Sequence, residues 1–266
     1  MCQLDQRPLR KYERRPDTHP EPRLGHSVTE DLLLGAKEVH EALCAPPSQR
    51  IGNFDTACAT VPARHVSGDF IVSFELGGSW FLALGDLMGK GLPAAMWLTH
   101  VLDLLHRSCE TGQTLAGMMA CLNGEMYRSR VGVPLTSLFL AQLEPATSSV
   151  TYSCGGCSTA FLLAGEQTVT MLQSGGPILG AMERASYSSS TIDLGLHDTL
   201  LVASDGIIEM HEGSSFELRP DRVVHHLKFT AGDSAASIVQ SLLARARVAS
   251  PALSDDLSLM AVQRVA

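Results

Sequence analysis

Four places in the chain set an aspartate beside glycine or serine where an apolar run ends or begins. Asp69 lies in Ser67-Gly68-Asp69-Phe70, and Asp86 in Gly85-Asp86-Leu87-Met88-Gly89-Lys90-Gly91. Asp205 lies in Ser204-Asp205-Gly206, and Asp255-Asp256 precede Leu257-Ser258-Leu259. A strand fixes the direction of a carboxylate at its end, and a neighbouring glycine lets the backbone turn sharply and approach closely. Carboxylates gathered in one place repel one another and are costly unless a cation neutralises them. Oxygen ligands alone favour hard ions, Mg2+ or Mn2+, over zinc. Taken singly, each aspartate reads more readily as a strand-terminating turn or a helix cap. Four of them in such settings point to a divalent-metal centre.

The cysteines point elsewhere. Seven are present at irregular spacing, an odd number that resembles reduced thiols more than a disulfide framework. Only Cys154 and Cys157 form a CxxC pair. Half a zinc site and a redox pair are both open readings, but no second CxxC completes the first, so two small residues near a strand end is the plainer one. The formal charge of −8 argues against a nucleic-acid partner, because phosphate backbones need a basic face. No apolar run approaches membrane-spanning length and no secretory signal is visible. A cytoplasmic protein with no membrane contact is expected.

The elements that must position the aspartates can be read from periodicity. Residues 1–24 are rich in Pro, Arg and Glu and read as a flexible tail. Residues 25–50 read as a helix and linker. Ser27 and Glu30 have capping-box spacing, Leu32, Ala36, Val39 and Leu43 recur at helical intervals, and Ala45-Pro46-Pro47 ends the helix. That stripe either packs on the domain or serves as a dimer or regulatory face. Residues 51–266 form the main domain. Within it, Phe70–Leu76 and Trp80–Leu84 read as strands joined at Gly77-Gly78. A helix follows from about Pro93, and another runs from Thr114 to Arg128. Short strands are expected at Ser137–Leu143, Val150–Cys154, Thr159–Leu163, Thr168–Leu172 and Thr199–Ala203. Asp233 is expected to cap a helix carrying Ile238, Leu242 and Ala246, and Leu257–Val262 closes the chain as a strand. Hairpins with helix pairs between them indicate an α+β fold of antiparallel sheets with outer helices, not a doubly wound one.

The order of these motifs resembles the SpoIIE-like branch of the type-2C metal-dependent serine/threonine phosphatases, the bacterial sigma-factor-regulator kind. The resemblance spans about residues 30–265. It rests on Pro62 through Phe70, on Gly85 through Ala95, on Pro177-Ile178-Leu179-Gly180, on Asp198 through Glu209 and on Asp255 through Leu259. It implies a four-layer α-β-β-α sandwich of two antiparallel sheets flanked by helices, with two Mn2+ or Mg2+ ions at one edge. Carried over residue by residue, Asp86 would bridge the two ions, and the Leu87 backbone carbonyl would complete the first. Asp205 and Asp255 would bind the second. Asp69 would support the centre directly or through water, with Asp256 and Gly206 one layer further out.

The resemblance also implies an activity: a metal-activated water, and no side-chain nucleophile, attacks a protein phosphoserine or phosphothreonine, with an anti-sigma-factor antagonist or similar regulator as the implied substrate. One stretch departs from the family. Where relatives carry N-A-G-H-x-P, this chain has Cys154-Gly155-Gly156-Cys157-Ser158-Thr159. Two other uses of the fold stay open on sequence: a catalytically weak binding module, and a hydrolase for small phosphoesters. The expected partners are a phosphorylated protein substrate and, through the N-terminal helix, a second copy of the chain or a regulator.

Overall fold

The computed structural model describes residues 28–45, 48–89, 91–129, 132–156, 159–209, 220–249 and 253–266. The expected tail at 1–24 and the capping residue Ser27 lie outside them. The chain opens with helix α1 (Val28–Leu43), then strands β1 (Ser48–Ile51), β2 (Phe54–Val61), β3 (Asp69–Leu76) and β4 (Ser79–Leu87). Helices α2 (Leu92–Cys109) and α3 (Leu115–Arg128) follow. Next come β5 (Thr136–Leu143), β6 (Ser149–Gly155), β7 (Thr159–Ala164), β8 (Thr168–Leu172), β9 (Gly175–Gly176), β10 (Ser190–Asp193) and β11 (Thr199–Ala203). Helices α4 (Asp205–Ile208), α5 (Pro220–Phe229) and α6 (Ala235–Ala249) precede the last strand, β12 (Leu257–Arg264).

The strands form two sheets, ordered β1-β2-β12-β11-β7-β8 and β10-β6-β5-β4-β3, with β9 added to β6 in parallel. All the other pairings are antiparallel. Three apolar layers separate four layers of structure. Phe70, Phe81, Ala83 and Leu138 pack under Leu98, Leu105, Met119 and Leu122 of α2 and α3. Ile71, Leu82, Leu84 and Phe139 meet Leu200, Val202, Met260 and Val262 between the sheets. Leu201, Leu259 and Ala261 pack under Ile238, Leu242 and Ala246 of α6. The architecture is the expected α-β-β-α sandwich. Alternate residues of one strand serve two different cores, so the inner strands read as continuous apolar runs. The β3–β4 hairpin turns at Gly77-Gly78, whose φ of 63° and 88° supply the left-handed turn that matches strand twist.

The structure adds β1, β2, β9, β10, α4 and α5 to the elements expected from sequence, and it corrects two details. The α6 cap is Ser234 rather than Asp233: the Ser234 hydroxyl accepts from the Ser237 amide at 3.2 Å. On α1, the expected stripe is split. Ala36 and Leu43 are half-buried, with Leu33 and His40 beside them on the inward side, but Leu32 and Val39 are 63% and 56% exposed. The helix is rotated so that a buried histidine takes a place the apolar pattern had given to valine.

Candidate metal centre

Asp69 begins β3 and Asp86 is the penultimate residue of β4; the two sit opposite one another in register. In the facing sheet, Asp205 opens α4 one residue beyond the end of β11, while Asp255 and Asp256 lead into β12, the neighbour of β11. Strand ends from both sheets therefore deliver the aspartates to one edge of the sandwich.

Asp69 is 2% exposed. Burial first, then the charge of Asp86, hold its carboxyl well above the ordinary aspartate range; Asp256 and Asp205 add to this, and a hydrogen bond from Ser258 opposes it. Asp86 is pushed up to about 7, by burial and then by Asp205, Asp255 and Asp256, against a hydrogen bond shared with Asp69. The Asp69 Oδ2 atom is buried without a hydrogen-bond partner. Among the described residues no three His, Cys, Asp or Glu side chains enclose an ion as they stand. The carboxylates interact through space around a common edge. An oxygen-only, mutually repelling set with a buried oxygen left unpaired is what hard divalent cations satisfy. The donor set fits the ions that the resemblance implies.

The backbone around the carboxylates is closely placed. The Leu87 carbonyl lies 3.0 Å from the point a side chain on Gly68 would occupy, with Asp86 Oδ1 at 3.5 Å, so only glycine leaves that oxygen clear. At Gly206 a β-carbon would meet the Asp256 carbonyl at 2.1 Å, so the turn carrying Asp205 can press against the Asp255-Asp256 turn only without a side chain.

Asp256 adds its charge to this group, and both its oxygens are bound to the loop before β3. Its Oδ1 accepts from the Ala63 amide at 2.7 Å, and its Oδ2 accepts from the Ser67 hydroxyl at 2.7 Å and the Gly68 amide at 2.8 Å. The Ser67 hydroxyl oxygen accepts in turn from the Asp69 amide at 2.9 Å. Asp256 thus pins the loop 62–68 against β12 and sets where β3 begins. Asp255 Oδ1 accepts from the Asp256 amide at 3.0 Å, which fixes its own turn.

Several positioning residues escaped the sequence reading. Ser204 and Ser258 lock the two strand ends of the far sheet: the Ser204 amide donates to the Ser258 carbonyl at 3.0 Å, and the Ser258 amide to the Ser204 hydroxyl at 2.9 Å. Thr60 accepts from the Ser258 hydroxyl at 3.1 Å. Buried His40 of α1 donates from Nε2 to the Asp69 carbonyl at 2.9 Å. Serines beside strand-end aspartates are a usable signal for the first group. His40 carries none, because its partner lies 29 residues away and is a backbone atom.

Cys154 is buried between the sheets, whereas Cys157 lies outside the described residues. Among the described residues no helix is long and apolar enough to cross a membrane.

Solved structures share this fold. The SiaA-PP2C domain of Pseudomonas aeruginosa superposes with a TM-score of 0.75 at 15% identity, covering 88% of this chain and 96% of that one. RsbX in complex with magnesium superposes with a TM-score of 0.61 at 15% identity, over 81% and 98%. Two helix-flanked sheets meeting at an aspartate-lined edge therefore define a PP2C-type phosphatase fold. The family model described as Stage II sporulation protein E (SpoIIE) matches residues 77–265, and the chain belongs to that family of metal-dependent protein serine/threonine phosphatases. Among its relatives, Phosphoserine phosphatase RsbU of Bacillus subtilis (strain 168) is 24% identical over 233 residues, 86% of this chain and 69% of RsbU.

Proposed function

We propose that this chain removes phosphate from phosphoserine or phosphothreonine of a cytoplasmic regulator, such as an anti-sigma-factor antagonist, using two Mn2+ or Mg2+ ions held at the aspartate edge. The observation that carries the reading is the pair Asp69 and Asp86, opposite one another at the strand ends: burial and the charge of Asp86 raise Asp69, and burial and the charges of Asp205, Asp255 and Asp256 raise Asp86. The name of RsbU and the magnesium in RsbX support the substrate class and the ion class respectively.

In this reading Asp86, the Leu87 carbonyl, Asp205 and Asp255 would hold the ions, and Asp69 would support them. The bound ions supply an activated water and offset charge on the phosphoryl oxygens. The protein supplies position. Asp256 and the Ser67 hydroxyl fix loop 62–68, Gly206 lets the Asp205 turn sit against Asp255, and the Ser204–Ser258 lock keeps both far-sheet carboxylates at one height. The test is hydrolysis of para-nitrophenyl phosphate by purified protein after chelation, then with Mn2+ or Mg2+ restored. Loss and recovery are expected; full turnover by protein shown to be metal-free would sink the mechanism.

We further propose that α1 couples this centre to a second copy of the chain or to a regulator. Its inner side is tied to β3 by His40 and by the Ala45 amide, which donates to the Ile71 carbonyl at 2.7 Å, while its outer side offers Leu32 and Val39 to solvent. Removing residues 1–44 should alter mass by light scattering or specific activity. An unfolded product would make the helix an ordinary part of the core.

A further inference from the structure

The direction of the Leu87 carbonyl is set by the other half of its own peptide unit. The Met88 amide donates to the Leu135 carbonyl at 2.8 Å. The Leu87–Met88 peptide is trans, and in a trans peptide the N–H and the C=O point to opposite sides. Leu135 therefore turns the Leu87 carbonyl the other way. There it lies 3.0 Å from the point a side chain on Gly68 would occupy, with Asp86 Oδ1 3.5 Å from the same point. Strand β4 ends at Leu87, so the Met88–Leu135 bond stands just beyond the strand, and bonds at such ends open most readily. The carbonyl keeps its direction only as long as Leu135 stays in place.

Leu135 precedes β5, and a second segment braces it. Leu179, fully buried, exchanges two hydrogen bonds with Thr136, the first residue of β5. The Thr136 amide donates to the Leu179 carbonyl at 3.2 Å, and the Leu179 amide to the Thr136 carbonyl at 3.0 Å. Gly180 lies against Leu135 itself, since a side chain there would meet Leu135 Cδ2 at 3.4 Å. Asn123 of α3 anchors this brace and is fully buried. Its Oδ1 accepts from the Gly180 amide at 2.9 Å, and its Nδ2 donates to the Met182 carbonyl at 2.9 Å. Removing that amide strands two backbone groups at once. Each step from Asn123 to the Leu87 peptide is thus a direct contact: Asn123 to Gly180, Gly180 to Leu135, Leu135 to Met88.

We propose that Asn123 is a positioning residue for metal binding: by bracing Leu135 through Gly180 and Leu179, it holds the direction of the Leu87 carbonyl. This rests on the metal reading above.

The test compares the full chain with its Asn123→Ala and Gln263→Ala variants, with Mn2+ binding measured by calorimetry. Gln263 is the matched control. It is buried near the end of β12 remote from Asp255, and its Nε2 donates to the Thr199 hydroxyl at 3.1 Å and the Asp233 carbonyl at 2.8 Å. Its loss likewise strands two groups. Asn123→Ala should weaken Mn2+ binding about tenfold, the scale for removing a group that orients a metal ligand. The Mn2+ concentration giving half-maximal hydrolysis of para-nitrophenyl phosphate should rise in step, while turnover at saturating Mn2+ stays within about twofold. Gln263→Ala should bind Mn2+ as the wild type does. Wild-type affinity in Asn123→Ala, or an equal loss in Gln263→Ala, overturns the proposal. If Asn123→Ala does not fold, Asn123→Ser is read in its place: binding at least about threefold weaker upholds the proposal, and unchanged binding overturns it. If the wild type itself binds no Mn2+, the metal reading has failed instead. Hydrogen exchange of the Met88 amide in metal-free protein then decides whether Asn123 positions the Leu87 peptide. Exchange about tenfold faster in Asn123→Ala than in Gln263→Ala upholds that role, and equal rates overturn it.

Discussion

At the aspartate edge, groups that belong in water are buried; along the outer side of α1, groups that belong in a core stand in water. Asp69 is 2% exposed while Leu32 is 63% exposed. Burial of like charges raises the energy of the folded protein unless a cation joins them. Exposure of apolar side chains wastes the burial a partner would complete. A sequence is expected to break local rules where it works rather than where it merely folds. In the proposed reading the edge would take divalent ions and the outer side of α1 a protein surface. They also differ in rigidity. The edge is held by a lattice of short hydrogen bonds from Asp256, Ser67, Ser204 and Ser258, whereas the outer side of α1 carries the solvent-exposed Lys37–Glu41 pair at 3.7 Å, a weak restraint.

Removing a ligand tests the first region most severely. Asp86→Asn and Asp205→Asn should each leave less than about a tenth of wild-type turnover, at least 1.4 kcal/mol in barrier, with the fold intact by circular dichroism. Asp86→Asn should also raise the thermal midpoint of metal-free protein, because one repelling charge is gone. A variant retaining most of its turnover would remove that aspartate from the site.

Asp256 separates scaffold from ligand. Asp256→Ala strands the Ala63 and Gly68 amides and the Ser67 hydroxyl in a buried place, and should cost about 3 kcal/mol in urea unfolding. Asp255→Ala should cost much less stability while abolishing turnover. If both variants unfolded at the same urea concentration, the division of labour between these neighbours would be wrong.

The shared charge at the edge gives a pH signature. Asp86 titrates near 7 in the folded protein against 3.8 as its ordinary value, so the metal-free fold holds protons that the unfolded chain has released. That contribution to stability is complete below about 3.8 and is lost as pH rises through about 7. Metal-free protein should therefore lose thermal stability between pH 5.5 and pH 8, roughly across that titration. Added Mn2+ should raise the midpoint more at pH 8, where the carboxylates are free to bind it. Equal gains at both pH values would contradict the assigned electrostatics.

The smallest effect is expected on α1. Leu32→Ser with Val39→Ser should change monomer stability by no more than about 0.5 kcal/mol, as for other exposed positions, yet shift sedimentation or response to a regulator. A loss of several kcal/mol would show that this side is already covered in the folded chain.

Much of this was legible beforehand because it is local. Glycine beside a strand-end aspartate, the Gly77-Gly78 turn and the apolar helices from Pro93 and Thr114 each depend on neighbours in sequence. The missed elements depend on distant ones. Strand β2 holds Asp55, Thr56, Cys58 and Thr60 among its residues and lacks a clean alternation, yet it is paired along its whole length with β12. Helix α5, with two histidines and a lysine, is amphipathic only once Val223 and Leu227 are seen to pack under the far sheet. The stripe on α1 was misjudged because periodicity cannot tell that a buried hydrogen bond to the Asp69 carbonyl will place His40 inward at the expense of Val39.

The sequence by itself determined the kind of chemistry and its main carriers, because a carboxylate's preference for hard cations and a glycine's tolerance of close approach are properties of single residues. It determined too that the sheets would be antiparallel and flanked by helices, since periods of two and of about 3.6 are written residue by residue. Only the tertiary structure decided which aspartates meet. Asp69 and Asp86 come from one sheet, and Asp205, Asp255 and Asp256 from the other. Their convergence depends on how the two sheets stack, which no stretch of neighbouring residues encodes. It also decided that Asp256 fastens the loop 62–68, through Ala63, Ser67 and Gly68. Those partners lie 188 to 193 residues away, so only the folded chain brings them to its carboxylate.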